Sequence, residues 1–115
     1  MFLMPSQAEP CGLSQLYGMR YGTVPIVHAT GGLVDTVDDI DESDQSGTGF
    51  TFNAYHSRDF LKAVQRAMKA YQRPRTWRTI VQRIMEQDFS WHKSATEYID
   101  VYQNLLDGRL EKEVV

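Results

Sequence analysis

The sequence predicts an α/β fold with a parallel sheet, and more narrowly the closing portion of such a domain. Three observations carry this reading. Short runs at residues 2–4 and 23–27 are apolar on consecutive rather than alternating positions, as in strands covered on both faces, and Phe50-Thr51-Phe52 is a third strand candidate. A helical pattern separates the first two runs, and from Ser57 onward the pattern is helical only. Three short strands make a small sheet, and Phe2, Leu3 and Met4 read as the end of a buried strand with nothing before it, so the pattern suggests the C-terminal piece of something larger.

Each element has a local reason. Phe2-Leu3-Met4 closed by Pro5-Ser6 reads as a strand emptying into a loop. Leu13, Leu16, Tyr17 and Arg20 recur at helical spacing between Pro10 and Gly22, which predicts a helix over about 12–21. Thr23 to Val27 is β-branched and apolar, and Thr30-Gly31-Gly32-Leu33 breaks it. Residues 38–49 mix acids, Ser and Gly without periodicity and read as a surface loop before Phe50-Thr51-Phe52.

The second half predicts three helices. The first has a Ser57 cap and a face of Phe60, Leu61, Val64, Ala67, Met68 and Tyr71. Pro74 separates it from the next, which carries Trp77, Ile80, Val81, Ile84 and Met85. The last runs from a Ser90 cap to Gly108 with Trp91, Ala95, Tyr98, Ile99, Tyr102, Leu105 and Leu106 on its apolar positions. With the helix at 12–21 these make four main helices, and the expected division is one partial domain over 1–107 with a frayed tail at 108–115.

Composition narrows the function classes. The 115 residues are 42% hydrophobic and 23% charged, at the globular norm. Twelve Lys and Arg against fifteen Asp and Glu leave no basic surplus for nucleic acid. Six of those acids fall between Asp35 and Asp44, so the imbalance belongs to one segment. No window approaches the roughly 20 apolar residues of a membrane span, and the N-terminus lacks the basic flank and apolar length of a secretion signal. Cys11 is the single cysteine, which excludes an internal disulfide and points to a reducing, cytoplasmic setting.

Glu9-Pro10-Cys11-Gly12-Leu13-Ser14 joins a strand end to a helix start, a geometry that offers free backbone N–H groups to an anion. A carboxylate there can accept sugar hydroxyls while the amides hold a phosphate, but Glu9 also favours a helix N-terminus with no ligand, by about 0.3–1 kcal/mol. Thr30-Gly31-Gly32-Leu33 either brings amides close to a ligand or is a tight turn; no complete phosphate-loop motif accompanies it. Asp39 and Asp41 start an EF-hand spacing that Asp44 and Phe50 break, so no metal is expected. His28, at a strand end, is the histidine placed to line a site, while His56 and His92 read as structural or surface. Cys11 reads as packing or ligand-lining, with no histidine positioned as its base, and Trp77, Trp91, Tyr98 and Tyr102 read as core in preference to a carbohydrate platform.

MFLMPSQAEPCGLSQLYGMRYGTVPIVHATGGLVDTV, then GTGFTF, then MEQDFSWHKSATEYIDVY together resemble the C-terminal part of bacterial glycogen synthases and plant starch synthases, over about residues 1–107. The resemblance implies a Rossmann-like portion of the two-domain GT-B architecture and glucose transfer from ADP-glucose to the non-reducing end of an α-1,4-glucan with retention, without metal or cofactor. It implies that Glu9 is the catalytic-motif glutamate at the donor glucose, that Cys11 and Gly12 line the sugar hydroxyls, and that Leu13 and Ser14 amides hold the distal phosphate. Thr30, Gly31 and Gly32 match the Thr-Gly-Gly turn beside the donor cleft, and residues 90–106 match a helix crossing back toward the other domain.

Two positions depart from related transferases: Tyr17 stands where many have a ribose-binding glutamate, and His28 where Arg is common. The family's N-terminal domain, with its Lys-containing glycine-rich loop, is not in this sequence, so the isolated chain is expected to be inactive and to self-associate through surface that other strands would cover. A plant parent would place it in the plastid stroma. Two alternatives stay open on sequence: a free-standing non-catalytic module that binds nucleotide sugar or glucan, and a UDP-glucose donor.

Overall fold

The computed structural model describes residues 1–41, 43 and 46–108. Among them, strands β1 (Phe2–Met4), β2 (Pro25–His28) and β3 (Phe50–Phe52) alternate with helices α1 (Ser14–Arg20) and α2 (Gly32–Thr36), followed by α3 (Ser57–Tyr71), α4 (Pro74–Met85) and α5 (Trp91–Leu106). The sheet is parallel in the order β1-β2-β3, with Leu3 opposite Ile26 and Ile26 opposite Phe50. The α/β class, the three parallel strands and the four long-patterned helices are as the sequence predicts.

β2 is central, so all of Pro25 to His28 is buried, whereas edge strand β1 leaves Leu3 half exposed despite its apolar run. α1 packs on β1 and β2, α3 on β2 and β3, and α4 bridges α1 and α3. The core joins Val24, Ile26, Val27, Leu33, Phe50 and Ala67 to Ile80 and Ile84. Ile40 is buried within the acidic loop, and Asp39 pairs with Gly49 in a parallel bridge, so that segment is more tied down than its composition suggests. Arg66 of α3 holds it from outside, donating to Asp39 Oδ2 at 3.0 Å and to the Ile40 carbonyl at 2.7 Å.

Several expectations are corrected. α1 starts at Ser14 rather than near residue 12, because Gly12 has a left-handed backbone that cannot continue a helix. Gly32–Thr36 forms a short helix, where the sequence reads only a turn. The α3 cap is His56, whose Nδ1 accepts from Arg58 N at 3.1 Å; Ser57 is the first helical residue. The sheet-facing row of α3 is Ala63, Ala67 and Ala70, while Leu61, Met68 and Tyr71 are exposed. Small side chains let the helix axis approach the sheet, and the larger apolar residues fall to either side of that line.

α4 behaves as read at Ile80 and Ile84, with Trp77 against Tyr71 edge-to-face at 5.2 Å, but Met85 is exposed. α5 is the largest correction. Ser90 caps it through Lys93 N at 3.3 Å as predicted, yet no residue of the helix is buried, and Trp91, Tyr98, Ile99, Tyr102, Leu105 and Leu106 are all exposed. The core reading of Trp91, Tyr98 and Tyr102 is therefore wrong for this chain, because none of its described elements covers that face. Gly108, the first residue of the tail expected at 108–115, follows with φ +68°, and the rest of that tail lies outside the described residues.

Candidate active site at the strand ends

The loops leaving the carboxyl ends of β1 and β2 are the place where an open α/β sheet gathers ligands. In this chain they are joined by backbone. Gly32 N–H donates to the Glu9 carbonyl at 3.0 Å, closing the 9–13 loop onto the start of α2. A Cβ at Gly31, whose φ is +51°, would lie 1.8 Å from that same carbonyl oxygen, so the contact admits no side chain there.

The Gly32–Glu9 bond brings the 9–13 loop and Thr30-Gly31-Gly32 side by side. Glu9 and Thr30 are half-buried; Cys11, Leu13, Ser14 and Gly31 are exposed; Gly12 and Gly32 are buried beneath them. Cys11 is a free, exposed thiol and takes no part in the core formed by the described residues. Tyr17, one helical turn on, is exposed beside a groove of about 610 Å³ that runs between α1 and the α4–α5 connection, lined by Leu13, Leu16, Tyr17, Ile84, Phe89 and Trp91.

His28 is a tie rather than an open site residue. It is buried, with Nδ1 2.8 Å from the Ser6 carbonyl and Nε2 3.1 Å from the Asn53 carbonyl, and its ring meets Phe52 and Tyr55 at 5.3 and 5.1 Å. It thereby links the chain just after β1 to the chain just after β3. His56 is a helix cap and His92 an exposed residue of α5.

At the other end of the groove the Asp88 carboxyl is held below its usual range. Hydrogen bonds from Ser90 are the main cause, through its side chain and through its backbone N–H at 2.9 Å, and the charges of Lys93 and His92 add to them. The site residue that sequence reasoning missed is Gln15. It sits among apolar neighbours in the α1 pattern and is fully buried; its signal was a polar residue on the inward side of the helix, between Leu13 and Met19.

Joined loops at the carboxyl ends of parallel strands, with Glu9 half-buried and Cys11, Leu13 and Ser14 exposed, have the placement at which open α/β domains gather ligands. The family model for glycosyl transferases group 1 matches residues 1–83, and the chain belongs to that family. It is 52% identical over 108 residues to a glycogen synthase of Hydrogenobaculum sp. (strain Y04AAS1) and 50% identical over 108 residues to a glycogen synthase of Anoxybacillus flavithermus, covering 90% and 94% of this chain.

Among solved structures, it superposes on the catalytic domain of starch synthase IV from Arabidopsis thaliana bound to ADP and acarbose, with a TM-score of 0.78, 42% identity and 90% of this chain covered. The fold thus matches part of that starch synthase catalytic domain, the α/β architecture that the resemblance implied. The chain spans 22% of the length of each of these relatives. No helix among the described residues is long and apolar enough to cross a membrane.

Proposed function

We propose that this chain is the donor-side segment of a retaining glucosyltransferase that moves glucose from ADP-glucose to the non-reducing end of an α-1,4-glucan. The observation that supports the reading is the Gly32 N–H bond to the Glu9 carbonyl, which joins the loop carrying Glu9, Cys11 and Gly12 to the Thr30-Gly31-Gly32 segment. The solved relative bound to ADP and acarbose supports both substrate classes.

In this reading Glu9 contacts the donor glucose and Cys11 and Gly12 line its hydroxyls. The Leu13 and Ser14 N–H groups donate to the distal phosphate and stabilise the negative charge that grows on it as the nucleoside diphosphate leaves. Thr30, Gly31 and Gly32 hold the adjoining wall. Residues 1–107 act as part of one catalytic domain, and the exposed face of α5 lies against the remainder of the enzyme, so the isolated segment is inactive and self-associates. The reaction takes place in the cytoplasm, or in the plastid stroma for a plant parent.

The test is Glu9→Ala in the full-length polypeptide that carries this segment. Glucosyl transfer from ADP-glucose falls about a hundredfold or more, with the melting temperature held within a few degrees, because the Glu9 carbonyl that makes the clamp is retained. Unchanged turnover overturns the assignment, and better competition by UDP than by ADP overturns the donor.

A further inference from the structure

We infer that Gln15 is a positioning residue for the transfer reaction: its buried amide fastens the Glu9 loop to α2 and so sets where the carboxylate and the loop amides stand. The inference rests on the donor-site reading above. Gln15 has 0% exposure, unusual for a long polar side chain in the first turn of a helix. Its Nε2 donates to the Cys11 carbonyl at 3.0 Å and to Thr36 Oγ1 at 3.2 Å.

The orientation of the amide follows from its partners. A backbone carbonyl only accepts, and the Thr36 hydroxyl already donates to the Gly32 carbonyl at 3.1 Å, so both groups facing Gln15 need a donor. The bonds form a circuit. Glu9 accepts from Gly32, Gly32 accepts from Thr36, Thr36 accepts from Gln15, and Gln15 returns to Cys11, two residues beyond Glu9.

The loop is moulded onto this amide. Gly12 has φ +72°, and a Cβ there would lie 2.5 Å from Gln15 Oε1 and 3.0 Å from the Glu9 Cγ. Oε1 itself has no hydrogen-bond partner among the described residues. Packing alone would be met better by an apolar residue of the same length, which strands no polar atom. What such a residue lacks is the ability to donate to the loop and to α2 at once.

The experiment uses the full-length polypeptide with Gln15→Met, which keeps length and removes both donors, Thr36→Val, which cuts the circuit at its far end, and the double variant. Gln15→Met lowers kcat about tenfold or more, as expected when a reacting group is displaced by a fraction of an ångström, while the KM for glucan changes less than about twofold. Thr36→Val gives a smaller loss in the same direction, and the double variant is no slower than Gln15→Met, the non-additivity of one shared network.

A folded Gln15→Met enzyme with kcat within about twofold of the parent and only a lower melting temperature overturns the inference. If Gln15→Met does not fold, Thr36→Val decides, and unchanged kcat there overturns it equally. Glu9→Ala run alongside separates the two readings: its loss of turnover with an unaffected Gln15→Met sinks the positioning role alone, whereas unaffected Glu9→Ala sinks the donor site.

Discussion

The strand-end loops and α5 are opposites. Glu9 to Leu13 and Thr30 to Thr36 carry few large apolar side chains, yet they are fixed by a Gly32–Glu9 backbone bond and a buried glutamine. α5 carries Trp91, Tyr98, Ile99, Tyr102, Leu105 and Leu106 and buries none of them. Order in the first region comes from short, directional bonds between neighbouring elements of this chain; order in the second comes from its own ladder and its Ser90 cap. Apolar content tells what a helix could bury, and only the surrounding elements tell whether it does.

The contrast breaks most visibly at Gly31. Gly31→Ala meets the Glu9 carbonyl and an unfavourable φ together, and should destabilise the chain by about 3–5 kcal/mol; a chemical-denaturation shift under about 1 kcal/mol would mean that the two loops are not clamped. Next comes Ile80→Ala, at about 3 kcal/mol for a cavity in a fully buried site. Its counterpart Ile99→Ala on α5 should move stability by less than about 0.5 kcal/mol in the 115-residue chain. An equal cost at both positions would show that α5 is packed after all.

The smallest effect concerns the start of α5. The folded Asp88 carboxyl titrates below its unfolded value, so its contribution is present above the unfolded carboxyl range and is lost as pH falls through the lowered folded value. Helix content followed by circular dichroism should therefore decline on acidification below about pH 4, and Asp88→Asn should flatten that decline. An identical acid titration in the variant would assign the loss to other carboxylates.

Much of this was legible in the sequence because it depends on neighbours along the chain. The first two strands follow from consecutive apolar runs, the break between α3 and α4 from Pro74, the α5 start from Ser90, and the nearness of Glu9 to the Thr30-Gly31-Gly32 segment from both motifs following strands. The inward row of α3 was partly legible: Phe60, Val64 and Ala67 pack on the core as the pattern predicts, but Ala63 and Ala70 join them in place of Leu61, Met68 and Tyr71, because axis distance to the sheet matters there more than side-chain size. The short α2 was hidden because Gly31-Gly32 signals a turn, and its helix is held by contact with the 9–13 loop.

By itself, then, the sequence determined the class of fold, the order of its elements and the two motifs that meet at the strand ends, since caps, breakers and hydrophobic period act within a few residues. The tertiary structure alone decided that Gln15 is an internal fastener, that His28 ties two strand exits, and that α5 stands uncovered. Those outcomes depend on which atoms come within about 3 Å across the fold, and hydrogen bonds between residues 21, 22 and 25 positions apart leave no periodic trace along the chain.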